Sequence, residues 1–229
     1  MSMDLSPLWI STKTAFTATF ITFFLGIAAA WLMAGYGGRF KGAVDSVLTL
    51  PMVLPPTVVG FFLLVLFGKN GPMGKLLDLL GTRIIFSWTA TVIAATVVAF
   101  PLMYKTARGA FEQVDRNLIH AARTLGVSEW RIFWRVTVPL AWPGIAAGSV
   151  LAFARALGEF GATLMIAGNI PGKTQTIPIA IYFSAEGGEM DKALLWVVLI
   201  FIISLTVMTL MNYWNEYQRK NMHAAGTGH

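Results

Sequence analysis

Charge and apolar character fall in blocks along this chain rather than in short alternation. Uncharged, mainly apolar runs occupy Thr14–Tyr36, Ser46–Gly68, Ile84–Tyr104, Val136–Ala154 and Ala193–Asn215. Each reaches the roughly 18–20 residues that a helix needs to cross a hydrocarbon core about 30 Å thick. A barrel wall would instead alternate polar and apolar positions over strands of about 10 residues. The pattern predicts an all-α integral membrane protein with about five transmembrane helices, over 8–36, 46–68, 84–104, 136–168 and 193–215. They form one transmembrane domain, 1–217, followed by a C-terminal tail, 218–229. The first run is longer than the roughly 7–15 residues of a signal-peptide core and no basic segment precedes it, so it reads as a retained span.

Composition reinforces the pattern. Charged residues are 12% of the 229 and hydrophobic ones 56%, with a mean hydropathy of +0.66. A soluble domain carries about 25% charged residues, and a chain of this length has too little interior to bury the apolar excess. Membrane lipid takes the remainder. Cysteine is absent, which removes a disulfide framework and thiolate metal sites. The net charge of +6 acts through its distribution between loops, and no nucleic-acid partner is expected.

Lys and Arg sort unevenly across the predicted spans. Ten lie on one side (Arg39, Lys41, Lys105, Arg108, Arg116, Arg123, Arg131, Arg135, Arg219, Lys220) and six on the other (Lys13, Lys69, Lys75, Arg83, Lys173, Lys192). The positive-inside rule places the first set in the cytoplasm. The N-terminus is then external and the C-terminus cytoplasmic.

The longest polar segment between spans, 105–135, faces the cytoplasm in this topology. It reads as two short helices. Asp115 is placed to cap the first, Leu118, Ala122 and Leu125 follow at helical spacing, and Gly126 sits where a left-handed residue ends it. Ser128 is placed to cap the second, which carries Glu129, Trp130, Phe133 and Trp134, with Pro139 a few residues on. Interleaved Trp and Arg suit a helix pair lying on lipid headgroups. They suit equally a plug for a cytoplasmic partner.

His120-Ala121-Ala122, then Gly126, Val136, Val138 and Pro139, resembles the EAA loop of ABC importer permeases in spacing throughout. His120 stands where that motif has Glu, and Val136 and Val138 stand for Ile and Leu. The resemblance implies a coupling helix that seats in a cleft of an ATPase subunit. The His120 exchange puts in question any ion pair the Glu would make there. It further implies a homodimer of this chain, ABC ATPase subunits that use the ATP, and an external substrate-binding protein. This chain itself would bind no cofactor.

The fourth span holds an ionisable pair at membrane depth, Arg155 and Glu159. An Arg at a helix centre costs about 2.5–3.5 kcal/mol on insertion scales, and an i,i+4 pair returns only about 0.2–0.5 kcal/mol. The pair must therefore face protein or a wet cavity, either as a structural salt bridge or as part of a permeation path or gate. Gly144, Gly148, Ala152 and Ala156 form a small-residue stripe for close helix packing, within a subunit or across a dimer. In the second span, Pro51, Pro55 and Pro56 remove backbone donors. Such breaks are tolerated where protein or water meets the freed carbonyls, so Pro55 and Pro56 are candidates for the path as well as simple kinks.

Two segments resemble the oxyanion permeases for molybdate, tungstate and sulfate: Arg155 through Gly168-Asn169-Ile170-Pro171-Gly172, and Leu50-Pro51-Met52-Val53-Leu54-Pro55-Pro56-Thr57-Val58-Val59-Gly60. With the loop they extend the likeness from about Gly35 to Tyr182. The short five-span core favours molybdate import, with sulfate or tungstate as alternatives.

Three other readings fall away. Gly168–Thr174 looks like a phosphate-binding P-loop, but three residues rather than four separate its glycines and a span rather than a strand precedes it. An ion-coupled secondary transporter would place several ionisable groups or paired repeats at mid-membrane. His120, His223 and His229 are too scattered for a metal site, and no catalytic constellation stands out.

Overall fold

The computed structural model describes residues 4–226, except the side chains of 211, 212 and 214–226. Its centre is helix α5, Trp88–Glu112, against which α1, Ser6–Gly35, and α8, Val138–Leu157, pack along most of their length. Small residues make this closeness possible. A Cβ on Gly26 of α1 would lie 2.6 Å from Met103 Cγ, and one on Gly144 would lie 2.5 Å from Ala110 Cβ. The Gly148, Ala152 and Ala156 positions of the stripe are buried in the same core as Met103 and Ala107. The stripe thus packs on α5 within the subunit.

At the far end of α1 and α5, Thr14 Oγ1 lies 3.0 Å from Thr91 Oγ1 and accepts a 3.0 Å bond from Trp88 Nε1. Lys13 Nζ stands 3.9 Å over the Trp88 ring.

Helices α1, α5 and α11 (Met190–Gly226) are long and apolar enough to cross a bilayer, as is Glu129–Leu157, the helix that contains α8. The second predicted span, 46–68, is not one helix. It divides into α2, Lys41–Val53, and α3, Pro56–Phe67, which turn 111° against each other. Leu54 and Pro55 are both extended, with ψ of 142° and 135°. Each precedes a proline, which drives the preceding residue out of the helical region.

The third span, predicted over 84–104, starts at Trp88 instead. There Ser87 accepts a hydrogen bond from Ala90 N–H, and the helix runs on to Glu112. The fourth, predicted over 136–168, stops at Leu157. A break over 158–160 separates it from the short α9, Gly161–Ala167. The predicted tail 218–229 begins inside α11, which continues to Gly226. Residues 227–229, with His229, lie outside the described residues. Two short helices escaped the hydropathy pattern: α4, Pro72–Leu79, and α10, Ile177–Glu186. Each is too short for a span, and α10 packs on α11.

The segment with the P-loop resemblance is a tight turn between α9 and α10. Thr174 Oγ1 accepts from Ile170 N–H at 3.0 Å and is fully buried. The short helix α9 rather than a strand precedes the turn, and the Thr174 hydroxyl is engaged inward.

Candidate functional site

The connection between α5 and α8 is shorter than 105–135, because α5 takes its first eight residues and a helix continuous with α8 takes its last seven. What remains holds α6, Arg116–Thr124, capped by the Asp115 carboxylate on Asn117 N–H at 2.8 Å. Gly126 ends it at φ +72°, and Val127 N–H returns to Ala122 C=O at 3.2 Å. The left-handed turn is open to glycine at little cost. His120 and Ala121 are exposed, Ala122 is half-buried and Gly126 exposed.

Helix α6 buries none of its residues fully. It leans on the body through Ile119, with the neighbouring Val114 in the core. Leu118 and Leu125 face outward, 48% and 81% exposed. Helix α6 thus presents Leu118 and Leu125 at the surface with both of its ends hydrogen-bonded.

Ser128 stands at the N-cap of α7, Glu129–Ile132, but makes no capping bond. Arg123 instead reaches both Glu129 oxygens, at 2.6 and 3.0 Å, and ties α6 to α7. These bonds hold the Glu129 carboxyl below the usual carboxylate range. The second short helix of the sequence reading is not separate. It enters a π-turn, Phe133–Thr137, and continues into α8. Pro139 brings no N–H for the Arg135 carbonyl, and the wider turn, in which Val138 N–H reaches Phe133 C=O, absorbs the mismatch. Val136 and Val138 are half-buried and Pro139 is exposed on this continuous helix.

Deeper in the molecule, the breaks α2/α3 and α8/α9 meet, because α3 packs on α9. A Cβ on Gly60 would lie 2.7 Å from Ala162 Cα, and one on Gly161 would lie 3.1 Å from Pro56 Cβ. Pro55, Pro56 and Thr57 are exposed at this junction.

Glu159 is almost completely buried. Its Oε1 accepts from Ala162 N–H at 2.8 Å, in the first turn of α9. Its Oε2 lies 2.8 Å from Arg155 Nη1, an ion-pair approach without hydrogen-bond alignment. Arg155 keeps 30% of its side chain exposed. The pair therefore spans the break between α8 and α9. The carboxylate holds the start of α9, and the Arg155 side chain stays part-exposed beside it.

Sequence reasoning missed a polar knot where α2 meets α5. Asp45 accepts from Tyr104 Oη at 2.7 Å and from Arg108, which also donates through Nε to Glu112 at 2.8 Å. The i,i+4 pair Arg108–Glu112 was visible in the sequence. Its joining to Asp45, 63 positions away, was not. The knot fixes the N-terminal end of the broken α2 to the central helix.

Long apolar helices, two broken ones meeting near an ion pair, and a capped helix presented in the polar loop define a multi-pass membrane transport subunit. The chain belongs to the family of binding-protein-dependent transport system inner membrane components, whose model matches residues 23–223. It is 46% identical over 202 residues to the molybdenum transport system permease protein ModB of Escherichia coli K12, covering 87% of this chain and 88% of that protein. The ModB of Haemophilus influenzae is 41% identical over 223 residues, 96% of this chain and 97% of that protein. In fold the chain matches the bacterial alginate ABC transporter crystallised with its alginate pentasaccharide-bound periplasmic protein. The TM-score is 0.75 at 16% identity, over 93% of this chain and 78% of that one.

Proposed function

We propose that this chain is the membrane-spanning permease subunit of an ATP-driven importer of molybdate. Two copies form the pore, two ATPase subunits use the ATP, and an external binding protein delivers the ion. The observation that carries the reading is α6. It is a firmly capped helix that buries no residue fully and stands in a loop with the spacing of the EAA motif, which suits it to seat in a cleft of an ATPase. The choice of molybdate rests on the relatives that bear that name. The N-terminus is external and the C-terminus cytoplasmic, as the Lys and Arg distribution supports.

The path runs by the junction of α3 and α9. Exposed Pro55 and Pro56 give it a surface, and Arg155 supplies the one cationic group at this depth among the described residues. Glu159 serves chiefly to hold Arg155 and α9 in place. ATP binding draws the ATPase subunits together, moves α6, and through the continuous α7–α8 helix turns the junction outward. Anion selectivity lies mainly in the binding protein, since the junction carries a single cation.

The test is uptake of labelled molybdate into proteoliposomes that hold this chain, its ATPase and its binding protein. ATP-dependent uptake that excess sulfate barely inhibits is expected. Sulfate uptake in its place would reassign the cargo. Neither ion entering an intact complex would overturn the oxyanion reading.

A further inference from the structure

Helix α2 is lightly attached to its subunit. None of its residues is fully buried, its main neighbour is α5, and a Cβ added at Gly42 would meet nothing within 4 Å. Leu48 rests part-buried against the core. The polar contact comes from Asp45, through a single carboxylate oxygen. Its Oδ1 accepts from Tyr104 Oη at 2.7 Å and from Arg108 Nη1.

The receiving side of this contact is complete without Asp45. Arg108 Nη1 donates to Tyr104 Oη at 3.1 Å and Nε donates to Glu112 at 2.8 Å, all within α5. The Asp45 and Glu112 side chains are 32% and 48% exposed. Withdrawing Asp45 therefore returns its carboxylate to water and leaves Arg108 paired, so no buried charge is stranded. The chain is weak on either side of the contact. Gly37 and Gly38 lie in the link from α1. Pro51, inside α2, has no N–H to offer the Val47 carbonyl.

We propose that Asp45 is a releasable clasp. Segment 41–50 lifts away from α5 and returns during the transport cycle, bending at Pro51, and Glu112 holds Arg108 while it is away. Leu54 and Pro55 keep their extended backbone, and α3 stays against α9. The transport cycle belongs to the permease reading; the clasp stands on the contacts alone.

The test measures the distance between nitroxides at Val47→Cys, 67% exposed on α2, and Gln113→Cys, at the exposed end of α5. The chain has no cysteine of its own. The assembled complex carries cysteine-free ATPase subunits and one labelled copy, obtained by co-expression with excess unlabelled chain. Two distances are expected, and the longer one gains when ATP is added. Without nucleotide, Asp45→Asn raises the ratio of the longer to the shorter about tenfold. With ATP, Glu112→Gln lowers that ratio about threefold, because the lifted state then leaves Arg108 without its second carboxylate. One distance in every complex would mean a brace that never opens, and it overturns the clasp. So does a ratio that rises in both variants, which would make Glu112 a support for the closed contact. Two distances that ATP leaves unchanged overturn its part in the cycle. A complex that hydrolyses no ATP removes the permease reading instead, and the nucleotide-free ratios then decide the clasp.

Discussion

The two broken helices reach the same junction by different physics. Between α2 and α3 the break is covalent. Consecutive prolines force Leu54 and Pro55 out of the helical region, and no side-chain bond caps the start of α3. Between α8 and α9 the break is electrostatic and hydrogen-bonded. Gly158 and Phe160 flank a buried carboxylate that caps the new helix and faces an arginine. The position of the first break is set by the chain itself, because Leu54 and Pro55 stay extended before their prolines. The second rests on one buried side chain that touches both helices, so its geometry is the more open to change.

That contrast is sharpest at Glu159. Glu159→Ala leaves Arg155 without its partner and α9 without its cap, and is expected to cost about 3 kcal/mol. Chemical denaturation of the purified complex measures it. Glu159→Gln keeps an acceptor for Ala162 N–H and should lose clearly less. Equal losses for the two would mean that charge, not capping, holds the break.

Gly60→Val tests the contact that joins the two breaks. The new Cβ meets Ala162 backbone at 2.7 Å, which cannot yield, and the overpacking costs about 2 kcal/mol. A thermal melt matching the unaltered protein would show that α3 and α9 are free to part.

Gly126→Val acts away from the junction. A β-branched residue at φ +72° is strained by about 1–2 kcal/mol. The expected result is loss of ATPase copurification with membrane insertion intact. Normal copurification would remove α6 from the docking role.

The smallest effect is expected of Pro55→Ala, within about 1 kcal/mol, because Pro56 still keeps residue 55 extended. If Pro55→Ala destabilises as much as Glu159→Ala, the distinction between the two breaks fails.

The sequence alone determined whatever depends on local chemistry or bulk composition. Uncharged runs of membrane length identify the four long spans, because lipid demands apolar side chains at every turn. Asp115 and Gly126 mark both ends of α6, since capping involves only neighbours along the chain. The prolines announce the α2/α3 break, though not its 111° turn, which depends on where α3 packs.

Tertiary structure decided the rest. Hydropathy cannot see the α8/α9 break, because mainly apolar residues resume at once after Glu159 and run to Ala167. What ends the helix is a carboxylate bond whose value comes from burial. The Asp45–Arg108 contact joins residues far apart in sequence, and the small-residue stripe chose α5 over a second subunit only once the helices had packed. Periodicity and caps are written residue by residue, whereas burial and pairing across the fold take physical form only when distant segments meet.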